Sequence, residues 1–243
     1  TFHERFVEPF AARIIDGGSA GVAADLHRKI WMPLFWPGTL AGVLRNGETY
    51  QPDRPMHTLR NGGVALLVER LIERVTNHPR VTVRRHGGLA GLEADHGSTR
   101  LQMADGAAVL AALPILAVAP DGLFGAVGGS YSPHRVTSTM CWLELADHAV
   151  PDTLWLLDPE RPVFRVSRNQ ADGGPTVACC ELAWWVRAEE IEELAKAELA
   201  NSGIIEHPDQ ASVLTIARVE SFAAPSPSNR RRFHAAQEAF QHL

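Results

Sequence analysis

A single arginine stands inside one of the apolar, strand-forming runs of this chain, in the sequence Phe164-Arg165-Val166. A guanidinium among apolar neighbours needs an anionic partner, because burying an unpaired charge is costly. Glu181 lies on the next strand predicted along the chain and would form a structural ion pair with it. An anionic substrate is the alternative partner, and Arg165 would then be a substrate-binding residue.

Large aromatic side chains occur in two groups that would either line a binding cleft or pack in a core. Trp31, Phe35 and Trp36 lie in an irregular, proline-rich segment, where the two interpretations are equally supported. Trp142, Trp155 and Phe164 lie on neighbouring predicted strands and would form one face over a pocket. For this second group, packing in the core is the favoured interpretation.

The glycine-rich sequence from Asp16 to Gly21 resembles a dinucleotide-binding fingerprint only in part. That fingerprint needs glycine at positions one, three and six directly after a strand, so that the backbone can approach a pyrophosphate. Gly18 and Gly21 fit positions three and six, but Asp16 occupies position one and the preceding residues have a helical pattern. The favoured interpretation is a glycine-rich break between helices, and phosphate binding is the alternative.

Other common catalytic and metal-binding patterns are absent from the sequence. Eleven histidines are scattered without the spacing that places two on one helix face, and the three cysteines lack Cys-x-x-Cys spacing. No Gly-x-Ser-x-Gly elbow indicates a serine hydrolase. The run Arg230-Arg231-Arg232 is typical of a solvated helix face rather than of a nucleic-acid-binding surface. We therefore expect no metal site.

Composition restricts the remaining classes of protein. The chain has 243 residues, formal net charge −5 and 45% hydrophobic residues, which is enough for a core without disulfides. The acidic balance argues against a nucleic-acid partner, and no apolar run is as long as a membrane span. The chain begins at Thr1 without a secretory signal pattern, and its thiols are expected to be reduced. These features predict a cytoplasmic protein.

The hydrophobic pattern predicts which elements would position the candidate residues. Helices are predicted over 2–15, 22–31, 63–76, 187–201 and 228–243, and a short strand over 81–83. A hairpin is predicted from residues 100–103 and 108–119, the latter as a buried strand. Further strands are predicted over 136–145, 153–157, 163–167, 176–182 and 212–221, and short turns connect the first four of them. The predicted fold is α+β, with an antiparallel or mixed sheet of about five to seven strands, helices packed on it, and no complete Rossmann unit.

The order of several sequence motifs resembles a known protein family. Phe6-Val7-Glu8-Pro9-Phe10 comes first, and Asn61-Gly62-Gly63-Val64 then opens an amphipathic helix. Val81-Thr82-Val83 leads to Leu89 and Leu92, and a later apolar run ends in Ala119-Pro120. This order resembles the middle portion of the flavin-containing amine oxidase superfamily, which includes amine oxidases, protoporphyrinogen oxidases, carotenoid desaturases and UDP-galactopyranose mutase-like proteins.

The resemblance implies a cofactor and a set of site residues. In this family a Gly-Gly pair before a helix passes close to FAD, so Gly62, Gly63 and Leu89 would flank the cofactor. The β-rich half resembles the family's substrate domain, in which Arg165, Trp36, Trp142, Trp155 and Phe164 would face a small organic substrate. That substrate would be oxidised by hydride transfer to the flavin.

The sequence also departs from the family pattern. Members hold FAD through an N-terminal glycine fingerprint and a C-terminal glycine-containing segment, and neither is found among these residues. We therefore expect that this chain alone does not hold FAD, and that it is a portion or subunit of a flavoenzyme. The alternative is a flavin-free accessory or binding subunit that partners a second chain carrying the nucleotide-binding half. Three segments are predicted: a helical one over 1–60, a helix and hairpin bordering the cofactor domain over 61–133, and an antiparallel sheet with terminal helices over 134–243.

Overall fold

The computed structural model describes residues 1, 3–23, 63–145, 150–169 and 174–241. Within these residues, a π-helical turn, His3–Val7, precedes helix Glu8–Ile14, and short 3₁₀ turns lie at Gly18–Gly21, Ala188–Glu190 and Pro208–Gln210. The helices are α1 (Glu8–Ile14), α2 (Gly63–Thr76), α3 (Pro120–Ala126), α4 (Ile191–Asn201) and α5 (Pro227–Gln241). The strands are β1 (Leu89–Asp95), β2 (Ser98–Met103), β3 (Ala108–Ala111), β4 (Arg135–Leu145), β5 (Thr153–Trp155), β6 (Val163–Arg168), β7 (Thr176–Leu182) and β8 (Ala211–Ala223).

The described residues form an α+β fold, as the sequence predicts. They divide into two compact units, and the boundary in the first half of the chain falls within α2. Unit 1 is Thr1–Arg70 with Arg135–Pro225, and unit 2 is Leu71–His134 with Ser226–Leu243. Every strand pair in the described part of the chain is antiparallel.

Unit 1 contains a five-stranded sheet in the order β5-β6-β7-β4-β8. Alternate residues of β4 are buried beneath α4, because successive side chains of a strand point to opposite faces. Cys141, Leu143 and Leu145 pack there against Ile191, Ala195 and Leu199, which recur every fourth residue on α4. This is the largest apolar core of the described chain. Gly203 follows the end of α4 with a φ of 69°, and its N–H donates to the carbonyl of Ala200, so it acts as a glycine C-cap.

A second, smaller core in unit 1 forms around α1. Phe10, Ala11 and Ile15 are buried against Val136 and Phe164 of the sheet strands. The end of α1 is fixed by Trp184, whose indole N–H donates to the carbonyl of Ala12 at 3.0 Å. The helix is thereby held beside β6, which carries Arg165.

Unit 2 contains a three-stranded antiparallel sheet, β1-β2-β3, together with α3 and α5. An edge-to-face aromatic cluster of Phe124, Tyr131 and Phe233, with ring centroids 5.6–5.8 Å apart, joins α3 to α5. The buried side chain of Asn229 bonds both the N–H and the carbonyl of His134.

Two sequence predictions in unit 2 are wrong. Residues 81–83 do not form a strand, and the second hairpin strand ends at Ala111 instead of reaching residue 119. Residues 112–118 are irregular, and Leu113 and Ile115 are exposed rather than buried. An apolar run forms a strand only where another strand can pair with it, and the described residues supply none here. Pro114 also lacks the amide donor that a ladder needs.

The first predicted helix has nearly the expected extent, but its first part, His3–Val7, is a π-helical turn. The regular α-helix starts at Glu8, with Pro9 in its first turn, where a proline is tolerated. The predicted helix over 22–31 lies outside the described residues beyond Ala23.

Candidate functional site

Arg165 forms an ion pair with Glu181 across the β6–β7 ladder. The two residues are directly paired in register, and the guanidinium Nε lies 2.7 Å from Glu181 Oε1, which also accepts a bond from Nη2. The Glu181 side chain is only 14% exposed, whereas that of Arg165 is 36% exposed. The ion-pair interpretation is therefore confirmed, while substrate binding by Arg165 stays a prediction.

Trp155 lies directly beside this ion pair. It pairs in register with Arg165, and its ring centroid is 5.1 Å from the guanidinium carbon, which is a cation–π contact. The other neighbours of Trp155 are apolar: Phe10 lies 5.7 Å away, centroid to centroid, and itself lies 6.2 Å from Phe164. Trp155 and Phe164 therefore pack in the core around α1, the favoured interpretation of their sequence positions.

Trp142 belongs to the next row of side chains on the same sheet. One row runs from Trp155 through Arg165 and Glu181 to Met140, and the adjacent row runs from Ser167 through Cys179 to Trp142. Because residues two apart on a strand share a face, both rows lie on the sheet face opposite α4. The sheet thus places Arg165, Glu181, Trp155 and Trp142 on one face. That this face binds a substrate stays a prediction.

The cysteines of this sheet are unsuited to nucleophilic chemistry. All three are buried and unpaired. Burial raises the pKa of the Cys179 thiol to about 12, and the negative charge of Glu181 adds to the effect. Burial also raises the pKa of Cys141 to about 11 and that of Cys180 further still. Because the thiolate is the reactive form, these are structural core residues.

Arg13 is a structural residue that sequence reasoning missed. Its side chain is 1% exposed, and its guanidinium donates to the carbonyl oxygens of Leu156, Asp158 and Arg161 at 2.7–3.0 Å. Burial lowers the pKa of Arg13 to about 10, against the raising effect of the Asp158 and Glu198 carboxylates. The available signal was its position in the apolar stripe of α1, between Phe10 and Ile14. Arg13 fixes α1 to the loop between β5 and β6.

The glycine-rich turn after α1 is filled by a side chain of the protein itself. Glu8 Oε2 accepts the N–H of Ser19 at 3.1 Å and also bonds its hydroxyl, and His3 Nε2 lies 2.9 Å from that hydroxyl. Gly18 has a φ of 58°, and a Cβ there would lie 2.0 Å from Glu8 Oε1. The turn follows a helix, and its amide serves an internal carboxylate. These contacts support the favoured interpretation, a glycine-rich break that follows a helix.

The residues implied to flank FAD are only partly described. Gly62 and Trp36 lie outside the described residues, as do Trp31 and Phe35. Gly63 is the first residue of α2, and Leu89 is the first residue of β1, where it pairs with Met103. Among the described residues, the glycine-rich turn after α1 resembles a phosphate-binding loop, and Glu8 already occupies it. The described residues therefore do not form a complete FAD site.

No group of three or more histidine, cysteine, aspartate or glutamate side chains in the described part of the chain is arranged to hold a metal ion. No described helix has both the length and the apolar character that crossing a bilayer requires.

Comparison with known proteins identifies the fold. No protein-family model matches the sequence, and no curated protein matches it either. Among solved structures, reduced UDP-galactopyranose mutase matches 99% of this chain with a TM-score of 0.69 at 13% sequence identity. A CLA-producing fatty acid isomerase from P. acnes matches 97% of the chain, with a TM-score of 0.56 and 12% identity. A protein described as a protoporphyrinogen oxidase from Exiguobacterium sp. 255-15 matches 74%, with a TM-score of 0.51 and 15% identity.

This chain spans only part of each of these structures: 57% of the mutase, 55% of the isomerase and 44% of the oxidase. UDP-galactopyranose mutase-like proteins and protoporphyrinogen oxidases are both members of the superfamily that the sequence motifs indicate. The predicted resemblance is therefore confirmed at the level of the fold: over nearly its whole length, this chain folds like part of a UDP-galactopyranose mutase.

Proposed function

We propose that this chain is the substrate-domain portion of an FAD-dependent oxidoreductase of the amine-oxidase type. A small organic substrate would lose a hydride to the flavin, once the missing FAD-binding segments complete the enzyme. The observation that carries the proposal is the fold match to UDP-galactopyranose mutase over 99% of the chain. The order of sequence motifs supports it independently, because those motifs resemble the same superfamily.

The sheet face with Arg165 and Glu181 is the proposed substrate side. Both guanidinium bonds go to Glu181 Oε1, and no described residue donates a hydrogen bond to Oε2. A carboxylate oxygen has room for further donors, so Oε2 would accept a bond from an ammonium or hydroxyl group of a substrate. Arg165 would hold the Glu181 side chain in place, and Trp155 and Trp142 would supply apolar surface for the rest of the substrate.

A second candidate function is a flavin-free accessory subunit. Its support is the glycine turn, where Glu8 already occupies the amide that a phosphate would need. A chain of this kind would keep the fold for binding a partner or a small molecule, without redox chemistry of its own.

The two candidates differ in flavin absorption and in whether a substrate reduces the flavin. The full chain is purified with any polypeptide that co-purifies, and its absorption spectrum is recorded before and after addition of FAD. The oxidoreductase proposal predicts flavin bands that bleach anaerobically with an amine or hydroxyl-bearing substrate, and a Glu181→Gln variant with a raised KM. A complex of this chain with a co-purified FAD-binding polypeptide that stays colourless after FAD addition refutes this proposal and supports the accessory subunit.

A further inference from the structure

The five-stranded sheet of unit 1 ends in two very different edge strands. At one edge, β5 has only three residues, and so short a strand offers little backbone with which another strand can pair. At the other edge, β8 has thirteen residues, and within the described part of the chain it pairs only with β4. The outer side of β8 is therefore a long row of backbone donors and acceptors to which a further strand can add.

The side chains of β8 favour such an addition. Proteins commonly protect an open edge with several charged residues or a proline, but β8 contains no proline and only one cation and one anion, Arg218 and Glu220. Four of its large apolar side chains are 40–52% exposed: Leu214, Ile216, Val219 and Phe222. The strand thus presents apolar surface to water along an edge that is able to pair.

The two charges of β8 stand ready for partners outside the chain. Arg218 and Glu220 are two residues apart, so their side chains share one face of the sheet. Arg218 Nη2 donates to the carbonyl of Trp184 at 2.5 Å, which leaves the guanidinium further N–H groups to donate. The Glu220 carboxylate forms no ion pair or hydrogen bond with any residue that the structure describes.

The order of these residues makes β8 complementary to itself. Two antiparallel copies are related by a two-fold axis perpendicular to the sheet, and this axis passes through one residue because paired side chains share a face. An axis through Val219 places Arg218 of each copy opposite Glu220 of the other. An axis through Arg218 or Glu220 would oppose like charges, and an axis through Ile216 or Ala217 would oppose Arg218 to an apolar residue.

We propose that the outer edge of β8 binds β8 of a second copy of this chain, antiparallel and centred on Val219, so that the two five-stranded sheets form one continuous sheet. Ile216 of each copy then lies level with Phe222 of the other, and both apolar side chains are covered. The antiparallel direction is that of every strand pair in the described residues. This inference goes beyond the proposed function and does not depend on it.

The size of this interface determines how stable the dimer is. With the axis at Val219, residues 215–223 of the two copies overlap, which is a ladder of about 30 Å. The ladder covers one backbone edge and a few apolar side chains of each copy, less than the roughly 800 Å² per partner of a standard interface. We therefore expect a reversible dimer whose population rises with protein concentration.

Sedimentation of the purified full chain over a range of concentrations measures the dimer. Arg218→Glu and Glu220→Arg each oppose like charges twice across the axis, and each should weaken dimerisation by at least about tenfold. The double variant Arg218→Glu/Glu220→Arg restores opposite charges and should dimerise within about threefold of the unsubstituted chain. Circular dichroism establishes that each variant folds.

A cross-link tests the position of the axis. Val219→Cys would place two thiols opposite each other, about 4.5–5.5 Å apart between their Cβ atoms, so oxidised glutathione should link the variant into a dimer. The unsubstituted chain should stay unlinked, because its cysteines are buried. Hydrogen exchange of the amides in residues 215–222 should slow as the dimer forms.

Arg168→Glu is the matched control for charge. It changes the net charge as Arg218→Glu does, but Arg168 lies on β6, which has β5 and β7 on its two sides, so dimerisation should not change. A chain that stays monomeric at every concentration overturns the proposal. So does a dimer that both single reversals leave intact, a double variant as weak as the single ones, or protection of the β8 amides by a different protein bound to the monomer.

Discussion

Replacing Arg165 by methionine removes the partner of a carboxylate that is largely shielded from water. Breaking a buried ion pair costs about 3–5 kcal/mol, but Arg165 is 36% exposed, and solvent screening reduces this to about 1–2 kcal/mol. The lost cation–π contact with Trp155 adds about 0.5–1 kcal/mol. We therefore expect Arg165→Met to lower the free energy of unfolding by about 2 kcal/mol, measured by urea denaturation followed by circular dichroism.

A double-mutant cycle shows whether this loss belongs to the ion pair. Arg165→Met with Glu181→Leu removes both charges, so the double variant should be more stable than the sum of the single effects predicts, by at least about 1 kcal/mol. Arg168→Met is the control on the same strand, because its partner Asp152 is 86% exposed and a surface pair contributes at most about 0.5 kcal/mol. Additive single effects would refute the structural ion pair. If Arg165→Met then left stability unchanged but abolished substrate binding in a flavin-containing complex, Arg165 would be a substrate-anion residue.

Four further outcomes are expected. Arg13→Met removes the buried donor to three partly buried carbonyls and should cost about 3–5 kcal/mol of unfolding free energy in urea titrations. A loss below about 1 kcal/mol would contradict the role given to Arg13. A thiol reagent at neutral pH should modify none of the three cysteines in the folded chain and all three in denaturant, because burial raises their pKa values. Gly18→Ala should lower the free energy of unfolding by about 2–3 kcal/mol, because the added Cβ has a positive φ and also displaces Glu8. The Cβ of Gly17→Ala meets no atom within 4 Å, so this variant should lose only about 1 kcal/mol. Equal losses would exclude the Glu8 contact as the cause. The hydrogen bond from His86 lowers the pKa of Asp105. This carboxylate therefore stabilises the fold above its unfolded pKa, and the stabilisation is lost as the pH falls through its folded pKa. His86→Ala should raise the Asp105 pKa in an NMR titration and reduce the change of unfolding free energy with pH in that range.

Two strands of the unit 1 sheet were predictable from their apolar residues. The strand β4 was predicted within one residue of its start, since it buries every second residue from Thr139 to Leu145. The strand β7 was predicted with both ends correct from a short apolar run, of which three consecutive residues are buried. The helix α2 was predicted with both ends correct from its apolar spacing alone. The pairing of Arg165 with Glu181 also followed from the sequence, because a charge in an apolar strand has few possible partners.

Long-range side-chain contacts were not predictable in the same way. Arg13 bonds carbonyls about 145 residues away, and a backbone carbonyl leaves no signal in the sequence. The second hairpin strand was predicted too long for a related reason. The apolar run over 108–119 indicates that these residues prefer burial, but it does not identify the strand that would pair with each of them, and only Ala108–Ala111 pair with β2.

The glycine turn illustrates why a near-match to a phosphate motif must be judged from its surroundings. Backbone amides at such a turn need an acceptor, and a phosphate and a carboxylate satisfy them equally well. Here α1 brings Glu8 within 3.1 Å of the Ser19 amide, and Gly18 leaves room for that carboxylate where any larger side chain would collide with it. The glycine is therefore required for a contact between two parts of this chain. The same reasoning applies to any glycine-rich turn with an acidic residue within reach: the internal carboxylate must be displaced before a phosphate can bind, and that competition lowers the affinity for the phosphate.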